Sequence, residues 1–341
     1  MKNKVLLGLS GGVDSSLAAL ILKEAGYEVV GVYLFSRLGN DESAAAAAAA
    51  EFCGIPFEVV DISAELEDKV CSYFVNEYCR GRTPSPCIVC NPSVKFKALF
   101  DAAEKHGADF VATGHYARID RMENGELAVL CGVGRNDQSY MLCRMPRESF
   151  SKLIFPLGGF SKDEVRAMAE ERNIPTAKKP DSMEICFIPC GNRVEFIEER
   201  ISDVEGLNGN FVDEDGKILA PHRGIHNYTV GQRKGLGIAL GYPAYVSKID
   251  AKTNAVVLSR AGGEFSSEIA VSDCMWYLDC EDSFEADVRV RHSSGFTRGR
   301  VEKCGSGARI FFPDGVRAAA PGQFAVFYVN GAIVGSGVID G

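Results

Sequence analysis

Lys4–Ser15 reads KVLLGLSGGVDS, and how this stretch turns decides the fold. A short apolar run, Lys4–Leu9, is followed at once by Ser10-Gly11-Gly12, then by a helical pattern from Asp14 to Ala25 that Gly26 closes. Two glycines between a strand and a helix let the backbone approach an anion closely. The hydroxyls of Ser10 and Ser15 are expected to donate to that anion, and the helix N-terminus adds positive potential. The turn has neither the lysine of a Walker loop nor the spacing of a Gly-x-Gly-x-x-Gly fingerprint. The plainer alternative is a tight turn capped by Asp14 or Ser15.

Working outward, Tyr27–Phe35 reads as a second strand, Phe57–Ile62 as a third and Ala108–Thr113 as a fourth. Helical stretches at Asp41–Cys53 and Val94–His106 separate them, an alternation that predicts a parallel sheet with helices on both faces. The seven consecutive alanines Ala44–Ala50 read simply as good helix formers. Beyond about residue 200 glycine becomes frequent and helical periodicity fades. Short alternating runs at Ala255–Leu258, Ala286–Val290, Ala308–Phe312 and Phe324–Val329 predict a β-rich end, a small barrel or sandwich. The expected division is 1–200, 201–260 and 261–341.

With 341 residues, 46% hydrophobic and 24% charged, the chain has apolar material for more than one core. The net charge of −9 is the wrong sign for gripping nucleic acid with the whole surface, so such a partner would need a local basic patch. Arg289, Arg291, Arg298, Arg300 and Lys303 are candidates for that patch, with Arg233 and Lys234 in the Gly-rich segment Tyr228–Gly237. No apolar run approaches the ~18–20 residues that span a bilayer. The first residues also lack a secretory signal pattern, so a cytoplasmic protein with no membrane contact is expected.

Twelve dispersed cysteines fit free thiols in a reducing compartment. Gly81–Lys97, GRTPSPCIVCNPSVKFK, contains Cys87-x-x-Cys90 before a helix expected to open near Asn91. Beside a helix N-terminus, with Lys95 and Lys97 close in sequence, Cys90 is expected to have a lowered pKa. Cys186 sits in PDSMEICFIP, residues 180–189. Both sit in Pro-flanked, loop-like segments, whereas Cys53, Cys71, Cys131 and Cys274 read as inert buried thiols.

Ser10–Ser15 resembles the PP-loop of ATP pyrophosphatases, which hold ATP and split it between the α and β phosphates. Together with GRTPSPCIVCN, Thr113–Arg118, Asp137–Tyr140, Phe155–Gly158, Asp181–Ile188 and Thr229–Gly237, it is similar in order and coverage to the tRNA-specific 2-thiouridylase family. The resemblance implies an α/β PP-loop domain with a parallel sheet (adenine nucleotide alpha hydrolase-like), a small central domain and a C-terminal β-barrel. It implies an enzyme, a tRNA-uridine 2-sulfurtransferase, that uses ATP with Mg²⁺. The uracil 2-carbonyl oxygen of wobble uridine 34 is adenylated and sulfur replaces it, releasing AMP and pyrophosphate. Cys186 corresponds to the persulfide carrier and Cys90 to its nucleophilic partner. Gly8, Leu9, Ser10, Gly11, Gly12, Val13, Asp14, Ser15, Leu34 and Gly114 correspond to ATP-contacting positions. His115, Asn136, Asp137, Gln138, Arg291, His292 and Gln323 correspond to tRNA-contacting ones. The implied partners are tRNA and a cysteine desulfurase or sulfur-relay protein as persulfide donor.

Three departures touch substrate contact: Asn136 where the family usually has Lys, His292 where it has Tyr, and a short segment from Arg37 to Asp41. Cys87, where some relatives carry Asp, opens a further possibility, an iron–sulfur cluster on Cys87, Cys90 and Cys186. Other functions left open are a different PP-loop tRNA thiolase (4-thiouridine or Fe–S-dependent), an ammonia- or amino-acid-using PP-loop synthetase, and a catalytically silent tRNA- or nucleotide-binding paralogue.

Overall fold

The computed structural model describes residues 3–180, 185–188 and 191–341. Two compact units are present: Met1–Val70, Cys87–Gly191 and Gly331–Ile333 form one; Cys71–Pro86, Asn192–Asn330 and Val334–Gly341 form the other.

The first unit is built on a parallel sheet. Its strands are β1 (Lys4–Gly8), β2 (Glu28–Phe35), β3 (Phe57–Asp61) and β4 (Phe110–Ala112). An antiparallel hairpin, β5 (Ala117–Arg121) and β6 (Leu127–Cys131), precedes the short β7 (Leu153–Ile154). The sheet order is β3-β2-β1-β4-β7, and every neighbouring pair is parallel. Val5, Leu6 and Leu7 are each 0% exposed, as expected of a central strand covered on both faces. Burying such a side chain contributes about 2 kcal/mol. From β1 the chain winds outward through β2 and β3, then returns on the other side of β1 as β4. The reversal opens a crevice at the carboxyl ends of β1 and β4, where doubly wound sheets bind ligands. Ser10–Ser15 follows β1 directly, and Thr113–His115 follows β4.

Helix α1 (Val13–Glu24) leaves this turn, and α2 (Ser43–Cys53) packs beside it. The alanines have a second use besides helix propensity. Gly11 has φ +75°, and a Cβ there would lie 2.6 Å from the Ala46 amide nitrogen and 2.7 Å from the Ala45 carbonyl carbon. Helix α2 therefore presses backbone against backbone on the glycine turn. Ala49 and Ala50 are buried in the same core as Leu17 and Ala18 of α1, and Ala46 is also fully buried.

The second unit has two sheets. One is a mixed four-stranded sheet of β8 (Gly209–Val212), β9 (Ile218–His222), β10 (Tyr245–Asp250) and β11 (Ala255–Ser259), in the order β10-β11-β8-β9. Phe211, Ile225, Val246, Val256 and Leu258 form its core. The other comprises β12 (Phe265–Trp276), β13 (Ser283–Arg289), β14 (Thr297–Cys304), β15 (Gly307–Arg317), β16 (Phe324–Val329) and β17 (Ala332–Ile339). Their order is β12-β15-β14-β13-β16-β17, and the long β12 also pairs with β17. The sheet thus closes on itself as an antiparallel barrel, not a sandwich, around Val271, Val288, Val301, Ile310, Phe312 and Phe327.

Gly11→Ala is expected to destabilise the protein by ~1–3 kcal/mol, because the new methyl meets rigid backbone at a left-handed φ. Thermal unfolding measures this, and an unchanged midpoint would mean that α2 can yield.

Candidate active site

At the end of β1 the glycine turn is tied by its own serines. The Ser10 amide donates to Ser15 Oγ at 3.2 Å, the two serine hydroxyls lie 3.2 Å apart, and Ser15 Oγ donates to the Gly12 carbonyl at 3.2 Å. Gly12 is the N-cap of α1 and no side chain caps it, so the plainer alternative, a turn capped by Asp14 or Ser15, is not what is found. No side-chain cap competes for the first amides of α1, the groups that anion binding at a helix N-terminus uses. Leu9 and Val13 are buried at 1% and 4%, so these two positions can offer a ligand backbone only. Gly8 ends β1, and Leu34 is half-buried near the end of β2. A Cβ on Gly114 would be 3.3 Å from Asp14 and the Ser15 nitrogen, so the turn after β4 lies directly against the turn after β1.

Asp14 has a different task from capping. Tyr116 donates its hydroxyl to Asp14 Oδ1 at 2.6 Å, and Lys162 Nζ reaches both carboxylate oxygens at 2.8 Å. The Lys162 side chain is only 10% exposed, and its ammonium lies 5.6 Å from the centre of the Tyr116 ring. Lys162 opens the helix Lys162–Glu171, fixed by a Ser161–Glu164 capping box. Tyr116 falls within the quoted Thr113–Arg118 segment, but Lys162 does not stand out by motif or spacing. The available signal was indirect: an acidic side chain drawn into a folded crevice calls for a cationic partner.

The cysteine segment differs from expectation. The helix opens at Pro86, not near Asn91: Pro86–Cys90 is α-helical, Asn91–Lys95 widens into a π turn, and Phe96–His106 resumes the α-helix. Pro92 accounts for the widening, since it cannot donate to the preceding turn and its ring crowds the carbonyl four residues back. Asn91, buried at 1%, secures the widened turn by donating to the Met141 carbonyl at 2.7 Å. Cys90 is therefore one turn inside a helix and buried at 9%. Burial pushes its thiol up to about 11, and Lys95 only partly offsets this. The expected lowered pKa is not found. Lys97 is committed to Asp101 at 2.5 Å. Burial also raises the Cys87 thiol, although this residue keeps solvent contact.

Cys186 is exposed in a turn, and a side chain on Gly39 would collide with its carbonyl. The short Arg37–Asp41 segment thus runs against the Cys186 backbone. A negative charge on Cys186 would raise both the Cys87 and the Cys90 thiol, so all three share one electrostatic neighbourhood. Asp181–Glu184, Pro189 and Cys190 lie outside the described residues. Among the described residues no group of three or more His, Cys, Asp or Glu side chains is arranged to hold a metal ion. The three thiols as they stand do not fit the iron–sulfur cluster considered above.

The positions matched to tRNA contact divide by exposure. Asn136 is exposed, whereas Asp137, buried at 4%, accepts from the Gly132 and Ser139 amides at 2.8 and 3.1 Å. Gln138 accepts the Tyr116 amide at 3.0 Å, holding the turn after β4. His115 stacks on Phe96 and bonds Thr113 Oγ1 at 2.6 Å. Burial, aided by Lys95, lowers its pKa to about 3, so it offers a neutral ring. In the second unit His292 is exposed, but Arg291 is bound to the Val230 carbonyl. Gln323, buried at 8%, donates to the Thr83 and Pro84 carbonyls at 2.9 and 3.1 Å. The basic run is largely compensated. Arg298 pairs with Glu285 and Asp287, Arg300 with Glu302, Arg289 stacks on Phe296, and Lys303 bonds the Cys280 carbonyl. Arg233 and Lys234 are exposed.

Residues 3–190 match the family described as the tRNA methyl transferase HUP domain, 194–260 its PRC-barrel domain, and 266–339 an aminomethyltransferase β-barrel domain. A tRNA-specific 2-thiouridylase MnmA 2 of Clostridium botulinum is 40% identical, the match covering 99% of each chain. The tRNA-specific 2-thiouridylase MnmA of Carboxydothermus hydrogenoformans is 40% identical over 99% of this chain and 98% of its own. That of Acetivibrio thermocellus is 41% identical over 99% of both.

The chain belongs to the tRNA-specific 2-thiouridylase family. Within that family frame, the crevice at β1 and β4 and the three thiols are parts of one compact unit. Among the described residues no helix is long and apolar enough to cross a membrane.

Alkylation by iodoacetamide at neutral pH is expected to mark Cys186 before Cys90, because one is exposed and the other buried. The Cys90 rate should then rise about tenfold per pH unit between pH 7 and 10, since its thiolate fraction grows that way below a pKa near 11. Peptide mass mapping checks both. A Cys90 rate flat over that range would contradict the assigned protonation.

Proposed function

We propose that this enzyme thiolates carbon 2 of the wobble uridine, position 34, of tRNA at the expense of ATP. Support comes chiefly from one observation: the glycine turn, with Asp14 held by Tyr116 and Lys162, and the coupled thiols Cys87, Cys90 and Cys186 belong to the same compact unit. ATP binds with its phosphates at the amides of Gly11–Ser15. Asp14 is the carboxylate suited to share a magnesium ion with those phosphates, which would supply charge neutralisation there. Lys162, freed from Asp14 in proportion, serves as a positioning cation for the pyrophosphate.

Uracil's carbonyl oxygen is a poor leaving group. Its attack on the α-phosphorus expels pyrophosphate and forms an O-adenylated base, from which AMP departs readily. Cys186, exposed and so open to a persulfide-donating desulfurase or relay protein, carries the incoming sulfur. Cys90 attacks the Cys186 sulfur of that persulfide and the terminal sulfur is delivered to carbon 2. AMP leaves, and Cys90 and Cys186 end joined as a disulfide. The terminal persulfide sulfur attacking carbon 2 first reaches the same products. A base that takes the Cys90 proton, or a substrate-induced rearrangement, must come into play, since the resting thiol is protonated at neutral pH.

Extraction of one base from its stack is expected for chemistry on that base. The neutral His115 ring suits stacking better than phosphate pairing. Asn136, His292, Arg233 and Lys234 are the exposed candidates for tRNA contact. Gln323 acts indirectly, by fixing the Thr83–Pro84 backbone that leads to Cys87 in the chain.

Wild-type enzyme with bulk tRNA is expected to release AMP and pyrophosphate and to yield 2-thiouridine on nucleoside analysis. Cys186→Ala should yield no 2-thiouridine, and thiolation by this variant would sink the assignment of the sulfur carrier. Lys162→Met should lower the rate of pyrophosphate release by ~10²-fold, mostly in kcat. Thiolation at carbon 4 would favour the other PP-loop tRNA thiolases, and no pyrophosphate at all a silent paralogue.

A further inference from the structure

Each turnover of the proposed reaction ends with Cys90 and Cys186 joined, and the Cys87 thiol takes no part in it. Yet Cys87 stands three residues before Cys90 in the first turns of the helix opened by Pro86. That spacing puts two helical Cα atoms ~5 Å apart, inside the ~4.4–6.8 Å window of a disulfide. Cys186 and Lys95 act on both thiols, so the three sulfurs form one neighbourhood. Exposure separates them: Cys90 is buried, whereas Cys87 and Cys186 reach solvent.

We propose that Cys87 is the resolving thiol of the cycle: it attacks the Cys90 sulfur of the Cys90–Cys186 disulfide, moves the bridge to Cys87–Cys90 and releases Cys186. The inference rests on the function proposed above. As the Cys87–Cys90 bond forms, the Cys90–Cys186 bond breaks. Cys186 leaves as a thiolate and takes up a proton to replace the one Cys87 lost. This exchange involves no net oxidation. An external dithiol then attacks the solvent-facing Cys87 sulfur; its two thiols are oxidised to a disulfide, and Cys87 and Cys90 return as thiols. Cys186 is freed for the next sulfur before that reduction happens. A merely structural Cys87 would have no such effect on the location of the bridge.

The test uses full-length enzyme whose Cys186 has been loaded from glutathione persulfide and desalted, then mixed with ATP and one equivalent of tRNA. After one turnover free thiols are blocked with N-ethylmaleimide and disulfide peptides are mapped by mass spectrometry. Wild type should hold Cys87–Cys90 with Cys186 alkylated, and Cys87→Ser should hold Cys90–Cys186. With glutathione persulfide and limiting dithiol, Cys87→Ser should match wild type in the first turnover and fall at least tenfold behind in later ones. Thiolated tRNA accompanied only by Cys90–Cys186 in wild type, or equal later turnovers, overturns the resolving role alone. No thiolated tRNA and no bridge from wild type overturns the underlying function and this role with it. The wild-type mapping needs no variant, so misfolding of Cys87→Ser cannot shelter the proposal.

Discussion

The contact between the glycine turn and the first residues of α2 is the constraint from which the rest of the first unit follows. Because Gly11 has no Cβ, the backbone of Ala45 and Ala46 can lie against it, and the alanines that follow let α2 settle close to α1. That packing fixes the course of the turn into α1 without help from any side-chain cap. On the opposite side Gly114 allows the turn after β4 to press on Asp14 and Ser15. A turn packed this way is held by main chain meeting main chain at both Gly11 and Gly114.

Charge is handled inside that frame by pairing. Asp14 would be costly in a crevice if left alone, and Lys162 and Tyr116 supply its partners from two different elements. The thiols follow the opposite logic. Lys95 acts on Cys87, Cys90 and His115, but burial outweighs it for both cysteines and reinforces it for the imidazole. The resting site is thus quiet, with its buried sulfur protonated and its histidine neutral. Reactivity depends on what the substrates bring.

The parallel sheet was legible because strand, glycine turn and helix follow one another with clear changes of period, and the barrel strands because apolar residues alternate. The two-residue β7 carries no period at all and was invisible. The helix start at Pro86 is hidden in the sequence because proline beside a cysteine pair suggests a loop, whereas at the first helical turn its missing N–H costs nothing. The Cys90 pKa departs from its sequence expectation for a related reason: nearby lysines are visible in sequence, but burial is not. The charges of Arg298 and Arg300 likewise looked free until their acidic neighbours on the sheet were known. Lys162 lies far from Asp14 along the chain, and only the fold pairs them.

The doubly paired β12 has a consequence for recognition. By pairing with both β15 and β17, β12 joins the two ends of the sheet, so neither end is left there as an edge for a ligand strand to extend. A macromolecule that meets the barrel is met chiefly by loops and side-chain tips, such as the exposed His292. Its specificity can therefore drift by single substitutions while the scaffold stays untouched.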